Sequence, residues 1–134
     1  MKTLAISRNT RLWTLVVLAM CFGCGDTSTT RYVPSSDTAL TALQQGLDAW
    51  QSGATLTTIT VSTPAVNVFD MRWQQGAKLE KYEIVKTIEG REHPTFEVQV
   101  TLDKKSPEKN TYIVVGIDPL LVFRDVDYQK ATGQ

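Results

Sequence analysis

The sequence predicts an α+β domain: one N-terminal helix packed on a curved antiparallel sheet of four or five strands. Three observations carry this expectation. Leu40, Leu43, Leu47 and Trp50 recur at three- and four-residue steps, which draws one apolar stripe along a helix. Further along, the apolar period falls to two, most clearly in TFEVQVTL, Thr95 to Leu102. Charged, turn-rich segments at Glu89–Pro94 and Asp103–Asn110 then separate successive apolar runs, as hairpin loops do.

The chain divides into a leader (1–23), a tether (24–36), the domain (37–126) and a polar tail (127–134). Lys2, Arg8 and Arg11 are the only charges before Cys24, and Leu12–Phe22 (LWTLVVLAMCF) is an apolar run of 11 residues. A bilayer-spanning helix needs about 20 apolar residues, so this run is too short to cross. A basic start, a short apolar run and small residues after it form the pattern of a secretory signal peptide. The run ends in Leu18-Ala19-Met20-Cys21 and Cys21-Phe22-Gly23-Cys24, two overlapping frames with a cysteine in last place. These residues resemble a bacterial lipoprotein signal peptide, whose lipobox ends in the cysteine that becomes acylated. The resemblance implies export and a lipid anchor at a bacterial membrane. Cys24 is the favoured site, since the small Gly23 precedes it, and Cys21 is the alternative. The C-x-x-C spacing fits a redox motif poorly, because a leader precedes it and a Thr-rich tract follows. A zinc site needs about four ligands, and His93 is the sole histidine, so no metal and no cofactor is expected.

Gly25–Ser36 (GDTSTTRYVPSS) reads as a tether. Asp37–Ser52 is the helix, with Ser35, Ser36 or Asp37 as its cap and Gly53 as its stop. Gly46 inside it costs about 1 kcal/mol relative to Ala, which fits a close approach to a sheet. Ala54–Thr63 is dense in β-branched residues and reads as a strand or a helical turn. Val66–Phe69 is a short strand, and Asp70–Gly76 a turn with Trp73 folded back on the core. Lys78–Ile88 is a strand whose imperfect alternation predicts a bulge. Thr111–Ile117, apolar on both faces, reads as a central covered strand, and Leu120–Val126 as the last strand.

This element order resembles the cystatin-like superfamily, especially the NTF2-like and ketosteroid-isomerase-like folds, over roughly residues 36–126. The cystatin inhibitors' Gln-x-Val-x-Gly hairpin is missing, so protease inhibition is not expected. NTF2-like isomerases use an acid in an apolar cone. The resemblance therefore implies Asp70 as a candidate general base, with Trp50, Trp73, Tyr82 and Tyr112 as candidate pocket residues. The ordinary alternatives are that Asp70 pairs with Arg72 or caps its turn, and that the aromatics are core. His93, in a loop before Pro94, reads as a solvated turn histidine.

With the three leader charges removed, eleven basic residues face fourteen acidic ones, about −3 net. That balance gives neither a nucleic-acid footprint nor a polybasic membrane patch. No Gly-rich phosphate loop, G-x-S-x-G or H-E-x-x-H motif occurs. The sequence therefore predicts a tethered, non-enzymatic module that binds an envelope protein or a small apolar ligand. An isomerase or lyase working through Asp70 is the alternative.

Overall fold

The structure, a computed structural model, describes residues 32–55, 58–59 and 63–134. Cys21 and Cys24 lie outside these residues. Helix α1 spans Ser36–Gln51, with Ser35 as its cap, the Ser35 side chain accepting from the Thr38 N–H. Its buried face is Ala39, Ala42, Leu43, Gly46, Leu47 and Trp50. Leu40, expected in that stripe, packs only half-buried at its side. Small residues take the positions nearest the sheet and let the helix sit close to it. Gly53, at φ +90°, reverses the chain after α1, a conformation that favours glycine.

The strands are β1 (Thr58–Ile59), β2 (Val66–Phe69), β3 (Leu79–Ile88), β4 (Thr95–Leu102), β5 (Glu108–Val115) and β6 (Leu120–Arg124). A one-turn helix α2 (Met71–Gln74) follows β2, and α3 (Asp125–Thr132) follows β6. The sheet order is β1-β2-β6-β5-β4-β3, and it does not close. β1 supplies only two residues, so five strands make the body of the sheet.

Four features differ from the expected antiparallel meander. First, the sheet is mixed: β2 and β6 pair in parallel, Val66 against Leu120 through Phe69 against Phe123. Parity explains this. The chain reverses at each step from β2 through β3, β4 and β5 to β6, so the even number of reversals leaves β2 and β6 pointing the same way. Second, the last strand stops at Arg124, and the expected polar tail is the helix α3. Asp125 and Asp127 in its first turn, Lys130 in its last and the left-handed Gly133 after it suit a helix at both ends. Third, β5 begins at Glu108, inside the segment read as loop, where Glu108 pairs with Val100. Fourth, His93 is half-buried, its ring edge-on to Tyr128 at 6.4 Å, because α3 folds back over the sheet.

Other expectations match. Phe96, Val98, Val100 and Leu102 of β4 are buried, while Glu97, Gln99 and Thr101 between them are half-exposed. β3 carries two register shifts, at Leu79/Lys81 and Ile84/Lys86. β5 lies inside the sheet between β4 and β6. The core is the layer between α1 and the sheet: Leu43, Leu47 and Trp50 against Val66, Val68, Phe96, Val98, Tyr112, Val114 and Val122. Each such aliphatic side chain contributes about 2 kcal/mol through burial. On the opposite face, α3 shields Ile113, and Tyr128 meets Phe123 edge-on at 5.4 Å.

The β4–β5 connection is held by a tight turn in which the Lys105 N–H donates to the Leu102 carbonyl at 2.8 Å. Asp103 and Lys104 both adopt positive φ, 49° and 59°, the two-residue turn that matches strand twist. Asp tolerates this region, and a β-carbon on Lys104 is strained there. Lys104→Gly is expected to stabilise the fold by about 0.5–1 kcal/mol, the strain relieved less the entropy cost of glycine, read as a raised urea midpoint at unchanged slope.

Candidate functional site

The functional side chains gather at the end of the sheet where α1, β2, β4 and β6 finish and α2, β3 and β5 begin. Two aromatic residues organise it. Trp50, from the last turn of α1, and Trp73, from α2, stack with ring centroids 5.4 Å apart and 8° between planes. Each indole N–H reaches the other's connecting loop: Trp50 Nε1 donates to the Ala77 carbonyl and Trp73 Nε1 to the Ala54 carbonyl, both at 2.8 Å. This reciprocal clasp fixes the loop after α1 against the loop after α2. Between them lies an open groove of about 840 Å³, within the range of ligand sites. Its walls are Gln51 to Thr55 on one side and Gly76 to Glu80 on the other, with the two tryptophans and Gln74 at its base. A smaller cleft of about 420 Å³ adjoins it across Gly76 and Ala77, bounded by Arg72, Lys105 and Glu108.

Behind the tryptophans sits a polar network. Asp70 ends β2 and is fully buried. It does both things a turn-ending acid ordinarily does. It caps α2, accepting from the Arg72 N–H at 2.9 Å. It also pairs with the Arg72 guanidinium through two bonds, Nε to Oδ1 at 3.1 Å and Nη2 to Oδ2 at 2.8 Å. The Tyr112 hydroxyl donates to the same Oδ2 at 2.7 Å. Arg72 reaches on to Glu108 at the start of β5, and its Cζ lies 6.0 Å from the centre of the Trp50 ring. Nearby, Arg124 holds Asp127 through Nε at 3.0 Å, and Asp127 accepts from the Met71 N–H at 3.3 Å.

The electrostatics follow from these bonds. Burial alone pushes the Asp70 carboxyl up, but the hydrogen bonds and charge of Arg72, with Tyr112 and Arg124, outweigh it and hold the group below its ordinary pKa. Burial works against the Arg72 charge, and the bonds to Asp70 with the charges of Asp70 and Glu108 more than offset it, raising its pKa. Tyr112 is driven well above its usual value by burial and then by the Asp70 charge. Tyr82 is pushed up to about 12 by burial and by its bond to the Asp48 carboxylate.

The predicted site residues therefore separate. Trp50 and Trp73 come together at the groove. Tyr112 lies behind it as a donor to Asp70, and Tyr82 lies along α1 against Asp48; neither lines the groove. Asp70 lines neither the groove nor the adjoining cleft. A general base needs a lone pair within reach of substrate and a pKa near neutrality. Asp70 has neither, because its oxygens are held by Arg72 and Tyr112 and its pKa is depressed. Arg72 stands where the Asp-x-Arg spacing of residues 70–72 places it, as the partner of Asp70, while nothing in the sequence signals Glu108, Gln51 or Glu80. Among the described residues, no three His, Cys, Asp or Glu side chains converge as metal ligands, and no helix is long and apolar enough to cross a membrane. No family model, curated protein or solved structure matches this chain.

Proposed function

We propose that this chain is an exported lipoprotein, tethered to a bacterial membrane through an acylated Cys24 or Cys21, whose domain is a non-enzymatic binding module. The leader pattern supports the tether. For the domain, the observation that carries the reading is the state of Asp70: the one acid with a candidate catalytic role is spent as a structural anion inside an arginine–tyrosine cage. The groove over the Trp50–Trp73 pair is the surface best suited to a ligand. Its walls are fixed by the indole bonds, so little ordering entropy is lost on binding. One helix laid across a sheet also supports the cystatin-like or NTF2-like resemblance, while the parallel pairing of β2 with β6 departs from the antiparallel order on which it rests.

The test of the tether is fractionation of bacteria expressing the full chain, with mass spectrometry of the mature N-terminus. The wild-type chain is expected in the membrane pellet with acyl chains on its first residue, Cys24. Cys24→Ser is expected to abolish acylation and release the protein or leave the leader uncleaved. If Cys21→Ser alone has that effect, the other frame is used. Membrane recovery unaffected by either substitution overturns the tether.

A further inference from the structure

We propose that α3 is a strap whose docking on the sheet sets the tightness of the groove over Trp50 and Trp73. Docked, it holds α2 in place; undocked, it lets α2 and the tryptophan clasp loosen. Control of the groove rests on the binding-module reading, whereas the mechanics rest on the fold alone. Little holds α3 down. Of its eight residues only Asp127 is buried, and Val126, Gln129, Lys130, Ala131 and Thr132 are exposed. Its aromatic contact is one ring, Tyr128, edge-on to Phe123 at 5.4 Å and to His93 at 6.4 Å. No side chain caps its N-terminus. A helix shorter than about 12–15 residues is marginal alone in water, so α3 is helical because it is docked and melts when it leaves. Undocking is then an order–disorder step confined to the end of the chain. It uncovers Ile113, which is 7 % exposed beneath α3, and this makes the docked form the resting one.

The strap is tied to the one element that carries half of the clasp. Asp127 Oδ2 accepts from the Met71 N–H at 3.3 Å and from Arg124 Nε at 3.0 Å, and its Oδ1 accepts from Arg124 Nη2 at 3.2 Å. Met71 is the first residue of α2, and an N–H at that position has no acceptor inside its own helix. Because α2 is a single turn, two carboxylates hold its start: Asp70 on the Arg72 N–H and Asp127 on the Met71 N–H. Trp73 stands two residues after Met71, stacked on Trp50 and bonded to the Ala54 carbonyl. Arg124 links the same parts from the sheet side, since it lies opposite Tyr112 in register and its charge also reaches Asp70. When α3 undocks, Met71 loses its acceptor, and Arg124 loses its only ion-pair partner among the described residues. The turn that carries Trp73 is then held by one carboxylate instead of two. Linkage makes the effect reciprocal, so whatever tightens the clasp favours the docked strap.

The experiment is hydrogen exchange read by mass spectrometry on the full chain in detergent. It compares α3, residues 71–77 and β4, the last as the reference for global opening. Tyr128→Ala is expected to speed exchange in α3 and, by about ten-fold, in residues 71–77, while the β4 amides move less. Asp127→Asn, which removes the charge that Arg124 pairs with, should give the same pattern at smaller size, and Tyr128→Phe, which keeps the ring, should leave all three regions as in the wild type. Trp73→Phe removes the indole bond to Ala54 and is expected to speed exchange in α3 from the other end. Faster exchange in α3 with residues 71–77 unmoved, or α3 unmoved by Trp73→Phe, overturns the coupling. Equal acceleration in β4 makes α3 an ordinary part of the fold and overturns the strap. Exchange is read without any ligand, so either result leaves the binding module standing.

Discussion

Arg72→Met is expected to destabilise the domain by about 3–5 kcal/mol and to reverse the sign of part of its pH dependence. The first effect comes from leaving Asp70, fully buried, without its counter-charge. The second follows from linkage. In the wild-type fold, the Asp70 pKa lies below its unfolded value. Its contribution to stability is therefore present above the unfolded pKa and is lost as pH falls through the folded one. Without Arg72, burial dominates, and the carboxyl pKa rises above the unfolded value. The variant then gains stability as pH falls, because the proton neutralises a charge that has no partner. Urea denaturation at a series of pH values from about 7 down to about 2 reads both effects, the wild-type loss lying below the ordinary carboxyl value of about 3.9 and the variant's gain above it. Asp70→Asn placed on Arg72→Met should recover most of the loss, since asparagine keeps the cap on α2 through Oδ1 and its Nδ2, in the place of Oδ2, donates to the Tyr112 hydroxyl oxygen. A single variant that loses stability on acidification as the wild type does would show that Arg72 is not what holds the charge.

The sequence disclosed this network only in part, and the reason is physical. Asp70 and Arg72 stand two residues apart, so their pairing is local and could be read. Tyr112 and Glu108 reach the same site across 42 and 36 residues of chain, and only the register of β5 against β4 and β6 brings them there. Elements whose period is local, α1 and β4, matched their expected bounds to within a residue. The parallel pairing of β2 with β6 is a matter of strand adjacency, which periodicity does not encode. Helix α3 was missed because its polar composition hides the contacts that anchor it, Asp127 held by Arg124 and by the Met71 N–H, and Tyr128 edge-on to Phe123. The groove was foreseen as aromatic, and Trp50 and Trp73 do floor it. Its form arises from the indole bonds that tie the loop after α1 to the loop after α2, and a list of residue types cannot show that.

Gly46→Leu is expected to cost about 3 kcal/mol or more, although leucine is the better helix former by nearly 1 kcal/mol. The position is where α1 comes closest to β2. A β-carbon built on Gly46 would lie 2.7 Å from Cγ2 of Val68, a distance that real β-carbons do not reach. Val68 is itself 2 % exposed and β-branched, so its methyl has no empty rotamer to occupy. The helix must then lift from the sheet and loosen Leu43 and Leu47 together with it. Gly46→Ala carries the same conflict in milder form. Its helix-propensity gain of about 1 kcal/mol opposes an overpacking cost of 1–3 kcal/mol, and a net loss of about 1 kcal/mol is expected. The cycle with Val68→Ala separates the two terms. In the Val68→Ala background the clashing methyl is gone, so Gly46→Ala should turn from destabilising to stabilising. Equilibrium unfolding of the four proteins in the cycle measures that change of sign, and its failure to appear would mean that Gly46 is tolerated in the helix for a reason other than its distance from the sheet.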